Sequence, residues 1–152
     1  MLKKKFIFLS ILCLLSGCGF TPIFNASNMN INIKNVNFND NKINRNFAKS
    51  IKTFSNQKSD IIYNLNINSF TLKNVATKDT KGNPSIYNLK LKVNIILIDN
   101  NESKKIEKSF AENINFSNTD DKFKLKITEN TLIDQMSQKI LQDILKFLAD
   151  IK

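Results

Sequence analysis

Cys18 is the one side chain in this sequence whose surroundings equip it for a covalent reaction. Leu15-Ser16-Gly17-Cys18 has the form of a lipobox, with small side chains directly before a cysteine at the end of an apolar run. That pattern lets the thiol accept a diacylglyceryl group, after which signal peptidase II cleaves ahead of the modified residue. Lys3, Lys4 and Lys5 make a positive n-region, and the apolar stretch from Phe6 to Leu15 falls short of the roughly 20 residues that a bilayer-spanning helix needs. Residues 1–17 therefore read as a signal peptide, and Cys18 as the lipidated start of the mature chain. Gly19 stands where an aspartate would favour retention at the inner membrane, so the expected destination is the outer membrane. Two or three acyl chains, palmitate among them, hold a protein at a bilayer far more durably than one does.

Little else in the chain is equipped for chemistry. It has no histidine, and its other cysteine, Cys13, leaves with the signal peptide. This removes Ser-His and Cys-His arrangements, the usual zinc ligands and any disulfide. Asp120 and Asp121 sit where a helix N-terminus favours negative charge, and Glu102, Glu107 and Glu112 read as lying on or beside an exposed strand face. Gly82 is the only glycine after Gly19, so no phosphate-cradling loop is present. No catalytic residue, metal or cofactor is expected, and the chain reads as a non-enzyme. An enzyme acting on envelope glycans would need two carboxylates converging in a cleft at roughly 5 to 10 Å.

The charge points to the kind of partner. The sequence carries 23 basic and 13 acidic residues for a net +10, and removing residues 1–17 with their three lysines leaves +7. An anionic partner follows from that excess, although abundant Asn, Lys and Ile with Arg45 as the single arginine also match A/T-rich codon usage. Nucleic acid is not expected, because export removes the chain from it and the aromatic residues lack the spacing of a stacking platform. Lipid phosphates and carboxylates remain.

The mature length of 135 residues suits one domain. Residues 18–29 read as a lipidated tether and 30–152 as a single domain. Ile31, Ile33, Val36 and Phe38 alternate with a one-residue slip, which predicts a bulged strand. Asp40 or Asn41 then caps a helix whose Ile43, Phe47, Ile51 and Phe54 share one face. Tyr63, Leu65 and Ile67 alternate before the pattern shifts at Ser69 to Phe70 and Leu72, predicting a second bulged strand that ends near Lys73. Residues 76–84 read as a polar loop and a candidate tip. Tyr87 to Leu97 gives the clearest alternation, with Asn88, Lys90, Lys92 and Asn94 on the opposite face. Asp99, Asn100 and Asn101 turn the chain into a returning strand through Ile106, Phe110, Ile114 and Phe116. From a cap at Asn118 or Thr119, a long helix is expected to run to Lys152, with Phe123, Ile127, Ile133, Met136, Ile140, Ile144, Phe147 and Ile151 as its apolar stripe. Its first turns are ambiguous, because Phe123, Leu125 and Ile127 also alternate as a strand would. The order predicts an α+β fold, a two-layer sandwich with two helices on one face of a four-stranded sheet.

The opening Cys18-Gly19-Phe20-Thr21-Pro22-Ile23-Phe24 resembles the Cys-Gly-Phe-x-Pro-Leu-Tyr start of the LPS-assembly lipoprotein LptE family, alphaproteobacterial type. Tyr63-Asn64-Leu65 and Tyr87-Asn88-Leu89 in consecutive strands, the polar loop and the long final helix fit the same family. Phe24 stands where the family often has tyrosine. The resemblance implies a lipoprotein of the cell outer membrane, facing the periplasm or within a barrel lumen. It would plug and help assemble the LptD β-barrel and bind lipopolysaccharide (LPS) on its way to the surface. Lys90 and Lys92, with Lys73, then become candidate LPS contacts on the sheet face away from the helices, and Lys78 and Lys81 a rival site in the loop. A different envelope scaffold, such as an accessory subunit of barrel assembly, is the alternative.

Overall fold

Strict alternation of apolar residues builds the sheet, and the computed structural model describes residues 29–100 and 104–151. The lipobox, Cys18, Gly19, the tether up to residue 28, Glu102 and Lys152 lie outside the described residues. The elements are β1 (Asn32–Phe38), α1 (Lys42–Phe54), β2 (Ile62–Lys78), β3 (Pro84–Asp99), β4 (Lys105–Ser117) and α2 (Lys122–Ala149). They form a four-stranded sheet in the order β1-β2-β3-β4. β1 runs parallel to β2, so α1 is the crossover that parallel pairing requires, and β2, β3 and β4 are antiparallel neighbours. Both helices lie on one face, α1 over β1 and β2, α2 over β3 and β4. This is the two-layer α+β sandwich that the sequence predicts.

The core lies between sheet and helices. Leu89, Leu91, Val93, Ile95 and Leu97 of β3 are buried at every second position, against Phe47 and Ile51 of α1 and Ile140, Ile144 and Leu148 of α2. Met29 is buried too, so packing begins one residue ahead of Asn30. The slip in β1 is a register shift between Ile33 and Asn35, which leaves Val36 and Phe38 on the helix side opposite Leu65 and Ile67. Of the two candidate caps for α1, Asn41 serves: its side chain accepts a hydrogen bond from the Asn44 N–H at 2.8 Å.

Several expectations are corrected. β2 continues past Lys73 to Lys78 and β3 begins at Pro84, so residues 76–78 and 84 are strand and the loop is shorter than expected, at 79–83. The hairpin is exposed on both faces from Phe70 to Asn83. A strand with no buried face has no hydrophobic period to read. The parity change at Ser69 is not a bulge, because the β2–β3 register runs unbroken from Tyr63↔Asp99 to Val75↔Tyr87. Ser69 occupies a core-side position, whereas Phe70 and Leu72 turn to the outer face. Neither Asn118 nor Thr119 caps α2. Asn118 donates to the Pro84 carbonyl at 2.8 Å, and Asp121 accepts from the Lys124 N–H at 3.0 Å instead. Phe123 and Ile127 are helical but exposed, at 76% and 50%, while Leu125, Leu145 and Leu148 fill core positions that the expected stripe omitted. Glu112 faces the helices, paired with Lys139 at 2.7 Å.

Candidate functional site

The outer sheet face, turned away from both helices, is where alternation places the polar residues. Its β1 side is a ladder of asparagine amides. The Nδ2 groups of Asn35, Asn37 and Asn39 donate to the Oδ1 atoms of Asn64, Asn66 and Asn68 at 3.0, 3.1 and 3.1 Å. Asn88 on β3 donates to Asn115 on β4 at 2.7 Å. The Asn37–Asn66 and Asn39–Asn68 pairs line a shallow groove of about 520 Å³ together with Asn94 and Ile96. Cross-strand amide pairs make the β1 side of this face polar without charge.

Toward the hairpin the face changes character. Lys90 lies between Leu72 of β2 and Asn113 of β4, and Lys92 between Phe70 and Ala111. The Lys92 Nζ stands 5.9 Å from the centroid of the Phe70 ring, within cation–π range. Two ammonium groups and two exposed apolar side chains therefore share one patch, and this mixture suits an anionic amphiphile better than a simple anion. Sequence reasoning found the lysines and missed Phe70 and Leu72 as their neighbours. The signal was the parity change at Ser69, which marks a change of face.

The five candidate lysines do not converge. Lys90 and Lys92 share the outer face as expected. Lys73 does not join them: it lies on the helix side, with its Nζ 2.8 Å from Glu129 Oε2 and 5.1 Å from the Tyr87 ring centroid. Odd-numbered residues of β2 face the helices, and an even number of residues separates Lys73 from the outer-facing Phe70 and Asn74. The Lys73 ammonium, by hydrogen bond and charge, holds the Glu129 carboxyl below the usual carboxylate range. Lys73 thus ties α2 to the upper part of the sheet.

Lys78 and Lys81 sit at the hairpin tip. Asp79 organises that turn, accepting at Oδ1 from the backbone N–H of Lys81 at 2.9 Å and of Asn83 at 2.8 Å. Gly82 takes φ 85, a left-handed conformation that glycine adopts without a side-chain clash. The N–H donors, that of Asn83 first, lower the Asp79 pKa. The tip is a rigid, acid-set turn that presents two lysines.

Among the described residues no cluster of three or more His, Cys, Asp or Glu side chains is placed to hold a metal ion. None of the described helices is long and apolar enough to cross a membrane. A second opening of about 430 Å³ lies where α1 begins, lined by Asn41, Lys42, Ser69, Thr71, Asn130 and Asp134 among others. The Asn41 amide donates to Ser69 Oγ at 3.2 Å there, and Lys42 pairs with Asp134 at 3.4 Å across the gap between the helices.

No family model matches the chain, and no curated protein matches it by sequence. Solved structures do share its fold. A crystal structure of rare lipoprotein B from Shewanella oneidensis superposes with a TM-score of 0.61 at 10% identity, over 76% of this chain and 93% of that one. A solution NMR structure of uncharacterized lipoprotein B from Nitrosomonas europaea gives 0.57 at 18% identity, over 84% and 88%. At such identities the likeness concerns the fold: this chain has an architecture that these lipoproteins also have, over nearly their whole length.

Proposed function

We propose that the protein is an outer-membrane lipoprotein, acylated at Cys18, that plugs an LptD-like β-barrel, assists its assembly and binds LPS during delivery to the cell surface. One convergence carries this reading. The Cys18–Phe24 opening resembles LptE by sequence and carries a lipobox, and the folded domain, which shares none of those residues, has a fold that rare lipoprotein B also has. The β1 side of the outer face supports it: its amide surface suits the polar interior of a barrel. Lys90 and Lys92 beside Phe70 and Leu72 supply contacts for a phosphorylated, acylated glycan. No covalent chemistry is assigned to the domain, which acts by binding. Depletion of the protein tests the reading. The folded form of one outer-membrane barrel should fall and surface LPS with it, whereas unchanged levels of both would reject the plug.

A further inference from the structure

β1 and α1 cover only the lower half of β2. The last residue pair between β1 and β2 is Phe38↔Ile67, and α1 starts at the same level, where Asn41 reaches Ser69. Above it, no other described strand pairs with β2 on that side. The backbone alternation shows which groups are left there. The Ile61 carbonyl accepts from Asn32 on the β1 side, and the Ile62 carbonyl accepts from Asn100 on the β3 side. Odd-numbered residues thus direct their N–H and C=O groups toward β1, and past Ile67 those of Ser69, Thr71, Lys73 and Val75 meet no strand among the described residues.

The apolar surface follows that edge. Phe123, Ile127, Asn130 and Asp134 recur at spacings of four, three and four along α2, which puts them on one side of the helix. Lower down, that side meets α1 through the Lys42–Asp134 pair. Higher up, α1 is gone, and Phe123 and Ile127 continue that side of α2, exposed. Of the large apolar side chains exposed among the described residues, Phe70, Leu72 and Val75 lie on this stretch of β2 itself and Phe123 and Ile127 on the first turns of α2. An open strand edge with apolar side chains on both flanks is an invitation that soluble proteins usually block.

We propose that the β2 edge from Ser69 to Val75 is a strand-addition site for an acidic, extended segment of a partner protein. The hydrogen-bonding edge selects an extended strand. Val75, Phe123 and Ile127 select apolar residues at every second position, facing the helix side. Charge selects the rest. Of the nearby acids, Glu129 pairs with Lys73 and Lys126, Asp134 with Lys42, Asp79 sets its own turn and Asp121 caps α2; with Asp120 they are outnumbered once Lys78, Lys81, Lys90 and Lys92 are added. A second copy of the chain would set these lysines against one another. The chain's own residues 18–28 contain no acid and include Pro22. The proposal does not depend on which barrel the protein serves.

The test uses the full chain purified in detergent and a synthetic peptide of about ten residues alternating valine with glutamate. The peptide should bind, and the N–H groups of Ser69, Thr71, Lys73 and Val75 should become protected from hydrogen exchange. Thr71→Pro removes an edge donor without touching the β2–β3 ladder, and it should weaken binding about tenfold or more. A Phe123→Ser/Ile127→Ser variant should weaken it independently, which keeps the test valid if Thr71→Pro fails to fold. Methylating the peptide's edge-facing backbone nitrogens should abolish binding, and replacing its glutamates by lysine should do the same. Equal binding of the methylated peptide, of the lysine peptide or by Thr71→Pro overturns the proposal. So does protection of the four N–H groups without peptide, which would mean that the chain's own N-terminal segment occupies the edge.

Discussion

From Tyr63 to Ser69 every odd-numbered residue of β2 is buried, whereas from Phe70 to Lys78 every residue is exposed. The strand is continuous and its partner β3 is the same throughout, so the difference comes from what lies above it. Below Ser69, β1 and α1 complete two packed layers, and burial of Leu65 and Ile67 supplies stability. Above Ser69 the hairpin stands on the β2–β3 ladder, the Lys73–Glu129 tie and the Asp79 turn. Packing is thus concentrated in one half of the strand, and the proposed contacts in the other. The lower half should tolerate few substitutions and the upper half many, with binding lost in place of folding.

The largest expected effect falls in the lower half. Ile140 is buried at 1% exposure, so Ile140→Ala should cost about 2 to 5 kcal/mol in urea denaturation. Phe147, only partly buried against Phe110 and Lys108, should cost less than Ile140 on the same scale. In the upper half the sharpest contrast is functional. Lys90→Glu with Lys92→Glu should weaken LPS binding by about tenfold or more while leaving the denaturation midpoint in place, since each desolvated charge-assisted contact is worth about 1.5 to 3 kcal/mol. Equal loss from Lys78→Glu with Lys81→Glu, and none from the sheet pair, would move the anion site to the tip.

Smaller effects mark the boundary. Asn41→Ala removes the cap of α1 and its bond to Ser69, for an expected loss of about 1 kcal/mol by chemical denaturation. The tip should also respond to acid. Asp79 and Glu129 have lowered pKa values in the fold, so their stabilising contribution is present above their ordinary values and is lost as pH falls through the lowered ones. Hydrogen-exchange protection at Lys81 and Asn83 should then decline in acid ahead of protection at Leu91 and Val93, and Asp79→Asn should remove the tip's response. Phe123→Ala comes last, within about 0.5 kcal/mol of the parent, because its ring is exposed.

The same division decides what could be read in the sequence. β3 and α1 were legible because burial on one face imposes a period, visible in Leu89 to Leu97 and in Phe47 and Ile51. The strand residues from Asn74 to Lys78 were not, since a hairpin exposed on both faces imposes none. A bulge at Ser69 that makes Phe70 and Leu72 core residues would put Lys73 on the outer face; they are outer-face residues, and the unbroken register puts Lys73 on the other side. Phe123 and Ile127 match the helical period but sit beside a gap that α1 does not fill, and a one-dimensional pattern does not reveal where a neighbouring helix begins. Lys90 and Lys92 were legible because the buried residues on either side of them fix their face.

The central claim, that this domain lodges in an outer-membrane barrel, is tested most directly by purifying the native protein from membranes under mild detergent and weighing the complex by native mass spectrometry. The account predicts a one-to-one complex with a single large β-barrel protein, its own chain acylated at Cys18 and cleaved ahead of it. A protein recovered without a barrel, or with an unmodified Cys18, would contradict it.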